Sequence, residues 1–176
     1  MRTLDEIDQE EIKDYLSKGW LTHDGMWFYN VYKEFGIDVA NRLNKEAIKS
    51  NSYFEVERAK KIFGIENKNI DSFEELTEFL QKMLELIAPH SIFNKIHISI
   101  PLKNVFHWEW ENKECFAFKS MERLGIVDKY KCGVVYRIEC WLNVLGIKYT
   151  ANPKIENCLM AENGTCSGDF TFYFNV

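Results

Sequence analysis

The chain has 176 residues, 46 % of them apolar and 15 % aromatic, and a formal charge of −5. That length closes a core without a staple. The acidic balance excludes the basic stripe of a nucleic-acid-binding protein, and no apolar run approaches the roughly 20 residues of a membrane span.

The opening MRTLDEIDQEEIKDYL is acidic and amphipathic, unlike a signal peptide, so a cytoplasmic protein is expected. In that compartment the five cysteines read as thiols or metal ligands rather than disulfides. Thirteen Phe, eight Tyr and five Trp exceed what a minimal core needs and point to an apolar pocket or a bulky core.

Residues 1–176 read as one domain, helical over 1–90 and mixed β/α over 91–176. An amphipathic helix is predicted over 4–18, ending at Gly19, and a second from Thr22 or Asp24 to Gly36. A long helix follows from Asp38 to about Phe63, with Val39, Leu43, Ala47, Ile48, Phe54 and Ile62 as its apolar points. Ser72 and Glu75 form a capping box ahead of the stripe Phe73, Leu76, Phe79, Leu80, Met83, Leu84 and Ile87, which Pro89 stops.

The period then changes. Ile96, Ile98 and Ile100, and then Phe106, Trp108 and Trp110, alternate with polar residues as half-buried strands do. A helix is predicted over 115–124. Val134, Ile138, Trp141, Leu142 and Leu145 trace another. The tail is predicted as a hairpin: a strand over 155–161, a turn at Asn163-Gly164, and a strand carrying Phe170, Phe172 and Phe174. The fold expected is α+β, with N-terminal helices packed on a small, mainly antiparallel sheet that ends in a C-terminal β-hairpin.

Cys132 opens a helix, and Cys158 and Cys166 flank the expected turn. Zinc takes thiolates at tetrahedral geometry, and a hairpin and a neighbouring helix start can supply three of them. A three-residue loop at 163–165 is required, because it alone puts Cys158 and Cys166 on one face. Small buried thiols are the alternative.

The segment from Cys132 to Phe174 resembles the C-terminal part of 4-vinyl reductase-type domains, small-molecule-binding modules that occur in phenol-sensing regulators. The likeness lies in a helix, a glycine and a hairpin bearing two cysteines and a Phe. It implies zinc held by Cys132, Cys158 and Cys166, with Glu156 or water as fourth ligand. Ile155 stands where that family has its ligating Glu. THDGMWF at 22–28 and CFAFKSMERLG at 115–125 resemble a family of uncharacterised archaeal and bacterial cytosolic proteins. A fainter likeness, in the Cys-rich C-terminal half, is to thiazoline-carboxylate hydrolases.

The function expected is a sensor-like small-molecule-binding domain with a structural zinc, taking a small apolar or aromatic ligand. Trp27, Phe106, Trp108 and Trp141 are the candidate walls, and His23 and Asp24 the candidate polar groups; Asp24 as a helix cap with an exposed His23 is the plainer alternative. A hydrolase using Cys115 or an open metal position and a protein that dimerises through its long helix are the other readings. His97 and His107 are expected on the solvent side of the sheet. Dinucleotide, P-loop, zincin and serine-hydrolase motifs are absent from the sequence.

Overall fold

The computed structural model describes residues 1–174. After a short 3-10 turn at Leu4–Glu6, helix α1 runs from Gln9 to Phe35. Asp8 caps it: its carboxylate accepts from the Glu10 N–H at 2.7 Å, and Glu11 reaches back to the Asp8 N–H. The helix continues through Gly19, where the sequence predicts a break, and through Gly25. Each glycine costs about 1 kcal/mol relative to Ala, but a helix that is already nucleated propagates through it.

Gly36, with φ +84°, ends α1 and opens α2 (Ile37–Ile62). That left-handed backbone is strained for any residue with a Cβ. The buried face of α2 carries Asn41, Asn44, Ile48, Ser52, Val56 and Ala59. Only Ile48 belongs to the expected apolar set, and Phe54 and Ile62 are exposed. Small side chains on this face let α2 lie along α6.

Helix α3 (Phe73–Ile87) buries Phe73, Leu76, Phe79, Leu80 and Met83, as its stripe predicts. Ser72 Oγ accepts from the Glu75 N–H at 3.2 Å. Glu75 does not close the expected box; its carboxylate takes the Asp71 N–H and Lys68 instead. One-turn helix α4 (His90–Phe93) leads into β1 (Ile96–Ser99) and β2 (Val105–Trp110). Then come α5 (Phe116–Arg123), α6 (Val134–Val144), β3 (Lys148–Asn152), α7 (Leu159–Asn163) and β4 (Ser167–Tyr173).

The four strands form one antiparallel sheet in the order β1-β2-β4-β3. The fold is thus α+β, with N-terminal helices packed on a small antiparallel sheet. Phe106, Trp108, Trp110, Phe170 and Phe172 face the helices and are buried; Phe172 meets Phe73 of α3. Gly168 allows this, because a Cβ there would stand 2.5 Å from the Trp108 ring. His97, Ser99, His107, Glu109 and Asp169 lie on the other face, as the alternation requires.

The C-terminal antiparallel pair is β3 with β4, so its first strand is 148–152 and not 155–161. Residues 159–163 are helical, and Gly164 at φ +76° is that helix's C-cap rather than the second residue of a hairpin turn.

Candidate functional site

An apolar pocket opens where α1, α2, α3, α6 and the start of the sheet meet. Trp20 of α1, Trp110 of β2 and Trp141 of α6 supply indoles, and Leu84, Ile87 and Ile92 supply aliphatic wall. The cavity volume is about 100 Å³, with one side open to solvent. Dry apolar cavities of about 150 Å³ take benzene, so this one, with its mouth, suits a molecule built on a single ring.

Each wall has a local cause. Trp20 and Asp24 are four residues apart on α1 and share its inward face. His23 and Trp27, also four apart, fall on the adjoining face; both are exposed, Trp27 at 43 %. Trp110 ends the inward row Phe106, Trp108, Trp110, which places it at the pocket while Phe106 and Trp108 stay in the core of the sheet, with the Trp108 ring tilted against Phe170. Of the wall and polar candidates named from sequence, Asp24 and Trp141 line the pocket. Trp20, Trp110, Asn44 and Tyr130 line it without having been singled out.

Trp141 is fully buried, and its Nε1–H donates to Glu55 at 2.7 Å. Glu55 also accepts from Asn51 at 2.8 Å and from Arg137. The Glu55–Arg137 pair is almost dry, with side chains 11 % and 13 % exposed. Arg137 in turn lies over the Trp20 ring, 4.9 Å from its centroid. This array joins α2, α6 and α1 beside the pocket and leaves no charge of its own unpaired.

The first half of α1 acts as a roof. No residue from Gln9 to Trp27 is buried. The segment is fastened by the Arg137–Trp20 contact and by Asp14, whose carboxylate accepts the His90 N–H at 3.0 Å.

At the α2–α6 side, Tyr130 and Asn44 meet over Gly133. The Gly133 N–H donates to the Tyr130 hydroxyl at 3.0 Å. A Cβ on Gly133 would lie 2.9 Å from Ile48 Cδ1, 3.0 Å from Asn44 Nδ2 and 3.1 Å from the Tyr130 hydroxyl. The bare Cα lets these side chains close onto the start of α6. Burial, then the neighbouring Cys132, pushes the Tyr130 phenol far up, so it stays a hydroxyl.

The expected zinc site does not form. Among the described residues no group of three or more His, Cys, Asp and Glu side chains could hold a metal ion. Cys158 and Cys166 flank helix α7 instead of a hairpin turn, which removes the geometry on which Cys132, Cys158 and Cys166 were grouped. Glu156 points to solvent at 65 % exposure and pairs with Lys154 at 3.3 Å. These cysteines are small buried thiols of the core, and Cys115 joins them there.

Burial pushes the Cys115 thiol up to about 12, which the backbone N–H of Phe118 partly offsets and Cys132 reinforces. Burial raises Cys132 and Cys166 as well. A protonated buried thiol is a poor nucleophile. The imidazoles have other neighbours: His107 Nδ1 lies 2.7 Å from Asp169, His97 faces Glu111, His90 meets Asn94, and His23 is exposed. The Cys115 hydrolase reading therefore lacks its base.

A larger groove of about 560 Å³ lies between the end of α2 and β3, but Glu57, Lys60, Asn69, Asp71 and Lys148 line it. Its polar walls offer no apolar enclosure. Among the described residues no helix is long and apolar enough to cross a membrane.

The chain belongs to a family of unknown function, DUF6125, whose model matches residues 4–140. That stretch contains α1 through most of α6, and with them every lining residue of the pocket but Trp141. No curated protein and no solved structure matches the chain.

Proposed function

We propose that this protein binds a small apolar molecule, built on a single ring, in the pocket beneath α1. The observation that carries the reading is the pocket itself: indoles and aliphatic side chains enclose it, while a few polar groups converge on it. Binding sites for small molecules have this composition. A roof with no buried residue, fastened by few contacts, gives a route of entry. The aromatic surplus of the sequence agrees with such a role, although much of it fills the sheet core.

A thermal-shift screen of single-ring aromatic and heteroaromatic compounds tests the proposal. A ligand at a hundred times its dissociation constant adds about 2.7 kcal/mol of stability, a shift of a few degrees for a domain of this size. Absence of any shift across such a panel would count against the binding role. So would shifts that persist unchanged in Trp20→Ala, a substitution at the roof that leaves the core intact.

A further inference from the structure

Resting on that reading, we infer that the ligand is a monocation, a primary amine on a single-ring or similarly short apolar body, whose ammonium group is received by Asp24 and Asn44.

Two polar lining groups motivate this. Asn44 is only 8 % exposed and lines the pocket, and its amide has no hydrogen bond to another side chain or to the backbone among the described residues. It meets the pocket's interior, where it can accept through Oδ1. Asp24 is half-buried on the pocket's inner face of α1 and has no ion pair or hydrogen bond among the described residues. Asp24 lines the same pocket as Tyr130, Gly133 and Asn44.

The sign of the ligand follows from the charges around it. Arg137 and Glu55 both sit at the pocket, but they neutralise each other, and Glu55 is further satisfied by Trp141 and Asn51. What remains among the lining residues is the carboxylate of Asp24. An anionic ligand would meet that charge with no free cation in the lining to receive it. An ammonium group donates to the carboxylate and to Asn44 Oδ1, and a lining rich in indoles suits a cation better than an anion.

The test is a matched series on the intact protein at pH 7, read by calorimetry and by indole N–H NMR shifts. Toluene, benzyl alcohol, benzylamine and benzoate share one ring and differ in head group. Benzylamine is expected to bind at least about tenfold more tightly than toluene or benzyl alcohol, with benzoate weakest. Asp24→Asn is expected to abolish the amine preference while toluene binding persists, which shows that the variant is folded and its pocket intact. Asn44→Leu is expected to reduce the preference in the same way. If toluene binds but benzylamine binds no better, or Asp24→Asn leaves the preference unchanged, the amine assignment is wrong and the pocket reading stands. If none of the four binds, both fall.

Discussion

Asn41 and Asn44 lie one turn apart on the same buried face of α2, and their surroundings differ completely. Asn41 is spent on the fold. Its Nδ2 donates to the Lys129 carbonyl at 2.9 Å, and its Oδ1 accepts the Lys131 N–H at 3.0 Å, so it stitches the approach to α6 onto α2. Asn44, equally buried, is bonded to nothing among the described residues and looks into the pocket. An amide satisfied within the fold is architecture; one that lines a cavity without a protein partner is available to whatever enters it. The same contrast separates Glu55, with its three partners, from Asp24, with none among the described residues.

The contrast can be broken experimentally. The largest effect is expected at Glu55. Glu55→Ala leaves Arg137 buried without a counter-charge and Trp141 Nε1 without an acceptor, a loss of about 3–5 kcal/mol measurable by urea denaturation. A loss below 1 kcal/mol would mean that the array is looser than its geometry. Next comes Asn41→Ala, which strands a backbone carbonyl and a backbone N–H. It should cost about 1–3 kcal/mol, again read from the urea midpoint.

Alkaline pH acts on the thiols of the core. The folded pKa of Cys115 is raised above the unfolded value, so its stabilising contribution is complete below about pH 9 and declines as pH rises toward 12. The unfolded chain loses that proton first, and stability falls by about 1.4 kcal/mol per pH unit for such a group. Cys132 and Cys166 act in the same direction. Denaturant midpoints between pH 8 and 10.5 should fall steeply, and Cys115→Ala should flatten the decline.

The smallest stability effect is expected at Asn44. Asn44→Leu removes an unpartnered amide at nearly constant volume, so stability should change by less than about 1 kcal/mol in either direction. A loss as large as that of Asn41→Ala would show that Asn44 holds the fold, and the contrast between the two residues would collapse.

Much of this architecture was legible in the sequence. Helix α3 carries both a cap at Ser72 and a continuous apolar stripe, and α6 a stripe of four-residue spacing, so both emerged near their true bounds. Strands β1 and β2 alternate cleanly. By contrast β3, KYTAN, is an edge strand with Lys148, Thr150 and Asn152 in solvent, and it has too few apolar residues to signal a period. Helix α7 was hidden because Asn163-Gly164 is a hairpin signal and a helix C-cap signal alike. The site was less legible. Asp24 was noticed for its neighbours His23 and Trp27, but the helix turns those two outward and brings Trp20 inward. Asn44 carries no signal as a single residue. The pattern that could have found it is a stripe of small and polar residues, Asn41, Asn44, Ser52 and Ala59, at helical spacing around Ile48. Such a face is too polar for solvent-shielded packing unless each amide has a purpose. The zinc expectation failed for the same reason as the hairpin: cysteine spacing acquires meaning only once the intervening chain is known to be strand or helix.

The five tryptophans allow the most direct test of the ligand-binding claim. Trp20, Trp110 and Trp141 line the pocket, whereas Trp27 is exposed on α1 and Trp108 lies within the sheet core. In heteronuclear NMR of the intact chain, toluene or benzylamine should shift the indole N–H resonances of the first three and leave Trp27 and Trp108 in place. Unmoved resonances at all five, or shifts confined to Trp27 or Trp108, would contradict a ligand site beneath α1.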